Sequence, residues 1–508
     1  MARYDLLVIG SGAGMNVAAR AYEQGLRVAL VDKDPLGGTC LNRGCIPSKV
    51  WTTAADAVRE AQHAAAIGVR LRLEGVDYAT IRRRTWEIVL GDRRSMEAGV
   101  KGAKGFEFVN APGEFVGDMR MRAGGKELEA DKVVIASGAR AQIPPIQGID
   151  AVGYLTNDTV FDLKSLPGSM VIVGGGYIAC EFGHFMSAMG VRTTVLGRNP
   201  RLLPREDPEV SAAVLQGMSR HMEVRTNTEV VSASRAGKAK RLVARDRGTG
   251  KERAHEAEEV LLASGRVSNA DILKPQATGV QVDERGWIKT NEFLETTRKG
   301  VWAMGDCVNR GQFRHTANYH AEVVWNNAFG EQKVAVDEHA IPSAVFSWPQ
   351  VGSVGLTAEE AIKQGFHAHV GKVMYKDTAK GYAMGDNEGL AKVVVDGATG
   401  RVLGAHIVGP QASVLVQLVV TVMNAGDRTY RPFIYSQIVH PALSEVVTRA
   451  FGALQHAGPG GHEHGHDHGH DNGHDDGHDH GHDHAHDHGH EPDKGHAHTR
   501  ANGQDPGR

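Results

Sequence analysis

Tyr4-Asp5-Leu6-Leu7-Val8-Ile9-Gly10-Ser11-Gly12-Ala13-Gly14-Met15 decides how the chain begins to fold. The apolar run ending at Ile9 is too short for a secretory leader and leads straight into a glycine-rich turn, so it reads as a buried strand. Helical spacing over residues 13–24 and a second apolar run over 26–31 complete a βαβ unit. Small residues at Gly10, Gly12 and Gly14 let the backbone approach a pyrophosphate, and the following helix supplies amide donors and positive potential. Asp32, closing the second strand, is placed to accept a ribose hydroxyl. Such a turn alone also suits a plain strand-to-helix connection, and Met15 stands where the fingerprint has its third glycine.

The pattern then returns. A strand over 170–173, a helix over 177–189 and a strand over 192–196 flank Gly174-Gly175-Gly176-Tyr177-Ile178-Ala179, with the alanine that the fingerprint allows. Two nucleotide-binding units in one chain make coincidence a poor account of either. The second unit's last strand runs into Arg198 with no carboxylate where an NAD site places one. Arg198, helped by Arg201 or Arg205, suits a 2′-phosphate and therefore NADPH; NADH or NAD is the alternative if these are solvated surface arginines.

Between the two units lies Gly37-Gly38-Thr39-Cys40-Leu41-Asn42-Arg43-Gly44-Cys45-Ile46-Pro47-Ser48-Lys49, ahead of a helical pattern over 47–66. The spacing of Cys40 and Cys45 allows a disulfide, and two thiols alone make a poor zinc site. The chain has four cysteines, too few for a secreted disulfide scaffold, so the pair reads as catalytic in a reducing, cytoplasmic setting. Cys180 and Cys307 fall in apolar segments and read as inert core thiols.

A net charge of -3 with 41% hydrophobic residues argues against a nucleic-acid or membrane-surface binder. The apolar stretch 413–425 is interrupted by Gln417, Thr421 and Asn424 and falls short of the ~20 residues that span a bilayer. His440 and Glu445 can pair if the chain between them turns, which would fix the imidazole tautomer for proton transfer. Beyond residue 455 the sequence becomes repeated Gly-His-Asp units holding 16 of the 27 histidines, a composition that builds no core and reads as disordered. His462, His464, His466, His468, His478, His480, His482 and His484, interleaved with aspartates, are candidate ligands for divalent metal ions.

Taken together, the segments 37–49, Met304-Gly305-Asp306 and 440–445 resemble, in order, the class I pyridine nucleotide-disulfide oxidoreductases. That family includes dihydrolipoamide dehydrogenase, glutathione reductase, mycothione reductase and mercuric reductase, and the resemblance covers residues 1 to about 452. It implies an α/β fold with two Rossmann-like dinucleotide-binding domains and an α+β dimerisation domain. The boundaries it suggests are 1–150 for FAD, 151–266 for NAD(P), 267–340 completing the FAD region, 341–455 for dimerisation and 456–508 for the tail. It further implies FAD contact by Asp306, a Lys49–Glu181 pair beside the flavin, and Tyr177 shielding the flavin where nicotinamide stacks. Cys45 would be the flavin-contacting thiolate, Cys40 would exchange with a small disulfide or dithiol substrate, and His440 would come from the partner subunit of a homodimer.

The subfamily divides the signals. Gly265, opening the stretch 265–273 and placed among the nucleotide-binding residues, resembles mycothione reductase, as does 403–406, whereas 205–208 resembles mercuric reductase. A mercuric or other metal-ion reductase, or a metal-handling protein using the His-rich tail, is the alternative function. His440 stands where mercuric reductases resemble one another in carrying tyrosine, and no C-terminal cysteine pair is present.

Overall fold

The computed structural model describes residues 2–457. The opening apolar run forms the strand Ala2–Ile9, and Leu6, Leu7 and Val8 are completely buried because helices and loops cover both faces of the sheet. It lies between Val28–Asp32 and Lys126–Ile135, both parallel to it, with Leu6 opposite Val28 and Val8 opposite Val134. Phe106–Asn110 extends one edge, Val301–Ala303 adds parallel to Lys126–Ile135, and the hairpin Gly113–Gly117/Arg120–Ala123 completes a seven-stranded sheet. A strand nearly 300 residues from the amino terminus thus carries the turn at Asp306 to the carboxyl end of the same sheet as Gly10.

The second βαβ unit builds a four-stranded parallel sheet in the order Glu223–Arg225, Arg192–Leu196, Ser169–Val173, Glu259–Leu262. An antiparallel sheet of Thr228–Ala236, Ala239–Asp246 and Glu252–Ala257 packs beside it. The first glycine of each unit has the same steric duty. At Gly10 (φ +104°) a Cβ would lie 2.1 Å from the Ala136 carbonyl oxygen, and at Gly174 (φ +145°) 2.2 Å from that of Ala263. Both positions exclude any side chain.

From Pro342 onward six antiparallel strands form the third sheet, in the order Pro342–Val345, Val351–Gly355, Val402–Val408, Leu390–Asp396, Ala368–Met374, Gln455–His456. The apolar stretch read at 413–425 is the helix Ala412–Met423, which buries Leu415, Val416, Val419 and Val420 against this sheet. Val414 and Leu418 on its other side face outward, as do Tyr435 and Val439 nearby in sequence. Among the described residues no helix is long and apolar enough to cross a membrane. The histidines proposed as metal ligands, His462 to His484, lie outside the described residues.

Candidate active site

Cys40 and Cys45 sit at the junction of two helices. Gly38–Arg43 carries the first, Gly44 reverses the chain, and Cys45 opens Cys45–His63, two residues earlier than the helical spacing suggested. Pro47 is accommodated because the amide it lacks falls in the first turn, where no carbonyl awaits it. Gly44 fits the junction because a Cβ there would lie 2.9 Å from the Thr39 carbonyl oxygen and 3.3 Å from Cys40 Cα. The tight reversal brings the two side chains into contact.

Both thiols are free, and each perturbs the other. The Cys45 side chain first, then the charges of Arg314 and Lys49 against the cost of burial, bring the Cys40 thiol down to about 7. Cys45 is pushed upward by Cys40 and by burial. The surroundings thus favour the thiolate at Cys40, whereas the family resemblance gives the flavin-contacting thiolate to Cys45. Cys180 and Cys307 are fully buried and both thiols are raised by burial, as expected of core cysteines.

Both Cys40 and Cys45 open into a cavity of about 630 Å³, within the range of cofactor pockets. Its walls include Gly10, Gly12, Asp32, Lys49, Tyr177, Glu181 and Asp306, so residues spread over three hundred positions converge on one space. Lys49 Nζ lies 2.8 Å from Glu181 Oε2 and 4.1 Å from the centre of the Phe346 ring, while the Phe346 amide donates to Glu181 Oε1 at 3.2 Å. The pair therefore ties the Cys45 helix, the helix Tyr177–Ala188 and the start of the third sheet together. Asp306 lies 3.4 Å from Arg266; burial raises its carboxyl, and the guanidinium opposes the shift.

Two sequence readings change in detail. Asp32 lines the cavity, but its Oδ2 accepts from the Ser11 amide and hydroxyl, both at 2.7 Å, and its Oδ1 from the Asp34 amide at 2.9 Å. It braces the glycine turn, and its Oδ1 keeps one lone pair free as an acceptor. Gly14 does not line the cavity: a Cβ there would meet Val8 at 2.9 Å and Ala136 at 3.0 Å, so its work is close packing of helix on sheet.

Gly174, Gly176, Gly265 and Arg198 also lie off this cavity. Arg198 is exposed just beyond Arg192–Leu196, and its carbonyl accepts from Arg247 at 3.3 Å, which brings a second guanidinium, from the turn after Ala239–Asp246, to the same corner. His440 and Glu445 pair as their spacing allowed, with Nδ1 2.9 Å from Oε1. A carboxylate only accepts, so Nδ1 carries the hydrogen and the exposed Nε2 is left as acceptor. The Glu445 carboxyl is held below its usual range by that bond first, with the Ala442 amide and Arg449 adding to it. Neither residue lines the cavity of its own chain.

Arg266, Phe346, Arg247 and Arg314 were not singled out as site residues. Arg266 follows Gly265 directly, and that adjacency was the one signal available; the others reach the site only through chain crossings.

The cavity suits a flavin dinucleotide. The buried Ser137 hydroxyl and Arg266 Nε on its wall have no partner among the described residues, and Gly38 packs so close to Gly12 that a Cβ would lie 2.6 Å from its Cα.

Residues 4–321 match the pyridine nucleotide-disulphide oxidoreductase family and residues 341–451 its dimerisation domain. Mycothione reductase of Mycobacterium tuberculosis (strain H37Rv) is 35% identical over 469 residues, covering 90% of this chain and all of that protein. Mercuric reductase of Staphylococcus aureus is 31% identical over 80% of this chain and 75% of its own length. Among solved structures, the Cu(II) complex of the HOCl-induced flavoprotein disulfide reductase RclA from Escherichia coli superposes with a TM-score of 0.79 at 28% identity, covering 89% of this chain and 99% of that one.

Proposed function

We propose how this chain, which belongs to the pyridine nucleotide-disulphide oxidoreductases and is an FAD-dependent NAD(P)-disulphide oxidoreductase, does its chemistry. It is an NADPH-dependent reductase of a small-molecule disulfide, of the mycothione reductase or dihydrolipoamide dehydrogenase type, and works as a cytoplasmic homodimer. The observation that carries this reading is the Cys40–Cys45 pair opening into the cavity beside Lys49 and Arg314. These charges favour the Cys40 thiolate, and the thiolate is the nucleophile in disulfide exchange.

Residues 1–150 with 267–340 hold FAD, 151–266 hold the nicotinamide nucleotide and 341–455 form the dimer contact. The match of residues 341–451 to the family's dimerisation domain supports that contact. FAD, when bound, supplies two-electron transfer between the nicotinamide and the thiol pair. Cys40 attacks the substrate disulfide, forming a mixed disulfide and releasing one thiol. Cys45 loses its proton and displaces the second thiol, which closes the Cys40–Cys45 disulfide; the substrate gains two electrons and two protons, and the pair loses them. His440 of the partner subunit takes on Nε2 the proton that each cysteine gives up and delivers it to the departing thiolate, with Glu445 fixing its tautomer. Lys49, held by Glu181, keeps a positive charge beside the thiols, Asp306 faces the ribityl chain, and Tyr177 covers the nicotinamide side. Gly174, Gly176 and Gly265 receive the nicotinamide nucleotide, with Arg198 on its 2′-phosphate.

Steady-state rates with mycothiol disulfide, glutathione disulfide, lipoamide and Hg(II), each with NADPH and NADH, test this directly. A disulfide turned over with NADPH is the expected result; turnover of Hg(II) alone would overturn it.

The likeness to mercuric reductase and to a protein crystallised with Cu(II) favours a second reading, reduction of a metal ion as substrate. Against it stands the thiol count: Cys180 and Cys307 are buried, leaving one accessible pair. On either reading the histidines from His462 to His484 bind divalent ions as an accessory.

A further inference from the structure

Five lysine or arginine side chains line the cavity. Four have carboxylate partners: Lys33 and Arg43 meet Asp34, Lys49 meets Glu181, and Arg266 meets Asp306. Arg314 is the fifth, and among the described residues its guanidinium has neither an ion-pair partner nor a side-chain hydrogen bond. It opens the 16-residue helix Arg314–Phe329, where a positive charge opposes the helix dipole. Arg314 Nη1 lies 3.9 Å from where a Cβ on Gly12 would be, so the guanidinium stands over the glycine turn that opens the first helix.

We propose that the Arg314 guanidinium binds the phosphate groups of the dinucleotide that occupies this cavity. The inference rests on the cavity holding FAD and adds a residue to it. A planar guanidinium facing backbone amides across a glycine turn matches a diphosphate, which accepts from both sides.

A consequence reaches the chemistry. Arg314 is also among the charges that favour the Cys40 thiolate, after the Cys45 side chain and with Lys49 beside it. Phosphate bound to Arg314 offsets that charge, so filling the phosphate site weakens the attraction on Cys40 and leaves the thiolate to Lys49 and Cys45.

The test uses the full-length chain, reversibly depleted of flavin and checked for unchanged circular dichroism, in wild-type, Arg314→Ala and Arg314→Lys forms. ADP and adenosine are the probes, titrated by calorimetry, and FAD rebinding is followed by flavin fluorescence. Arg314→Ala should weaken ADP and FAD by about 10- to 100-fold, leave adenosine unchanged, and be partly rescued by lysine, which serves phosphate as a point charge. Equal ADP affinity in wild type and Arg314→Ala would overturn the assignment. If neither form bound ADP or FAD, the dinucleotide reading itself would fall, a result distinct from the first. In a Cys45→Ser background, ultraviolet thiolate absorbance should titrate at higher pH for Arg314→Ala than for Arg314. Saturating ADP should raise the midpoint only where Arg314 is present; an unmoved midpoint would refute the coupling.

Discussion

Replacing the first glycine of each nucleotide unit by alanine separates the two units by their function. At Gly10 the added methyl would stand 2.1 Å from the Ala136 carbonyl oxygen and at Gly174 2.2 Å from that of Ala263, where real side chains keep at least 3.0 Å. Strand and neighbour must therefore part. A positive φ costs an L residue about 1–2 kcal/mol, and forcing a methyl into a packed contact costs about 1–3 kcal/mol. Each substitution should thus cost roughly 2–5 kcal/mol, or roughly 4–20 °C in the melting of its own domain. Flavin absorbance per chain, NADPH affinity by quenching and differential scanning calorimetry report the outcome. Gly10→Ala should lose flavin, whereas Gly174→Ala should retain flavin but lose NADPH binding. Gly176→Ala is the control, since a Cβ there meets nothing within 4 Å and its fold should be unaffected. Full flavin and an unshifted transition in Gly10→Ala would refute the steric argument. Flavin loss from Gly174→Ala alone would show that the assignment of the two units is reversed.

The Cys40 thiol lies below its ordinary value, so its thiolate, and with it alkylation by iodoacetamide, should rise with pH around a midpoint near 7; Cys45→Ala removes the first cause and should move that midpoint upward. Arg198→Ala should lower NADPH preference by the loss of one charge-assisted bond, about 1.5–3 kcal/mol, and an unchanged ratio of NADPH to NADH efficiency would refute the role. Because Gln455–His456 is an edge strand of the third sheet, a chain ending after Ala457 should keep flavin and turnover while losing most bound Zn(II) or Ni(II) in equilibrium dialysis; since imidazole must be neutral to ligate, metal binding by the full chain should weaken as pH falls through about 6.5.

Much of the site was legible because glycine, cysteine and the strand period leave local marks. Gly10 and Gly174 follow apolar runs that can only be buried strands, Cys40 and Cys45 stand close in sequence, and His440 reaches Glu445 within one turn of chain. Each of these relations spans few residues, and short spans are governed by backbone geometry. Tertiary structure decided the rest. That Arg266 meets Asp306, that Phe346 donates to Glu181, and that Arg314 stands over Gly12 depend on strands and helices that the chain brings together from tens to hundreds of residues away. The charge on the dithiol belongs here too. A cysteine at a helix N-terminus is ordinarily the more acidic one, yet Cys40 and burial push the Cys45 thiol up, while Arg314 and Lys49 favour the thiolate at Cys40. Sequence names the groups that can ionise; which one does depends on distances to charges that only the folded chain sets.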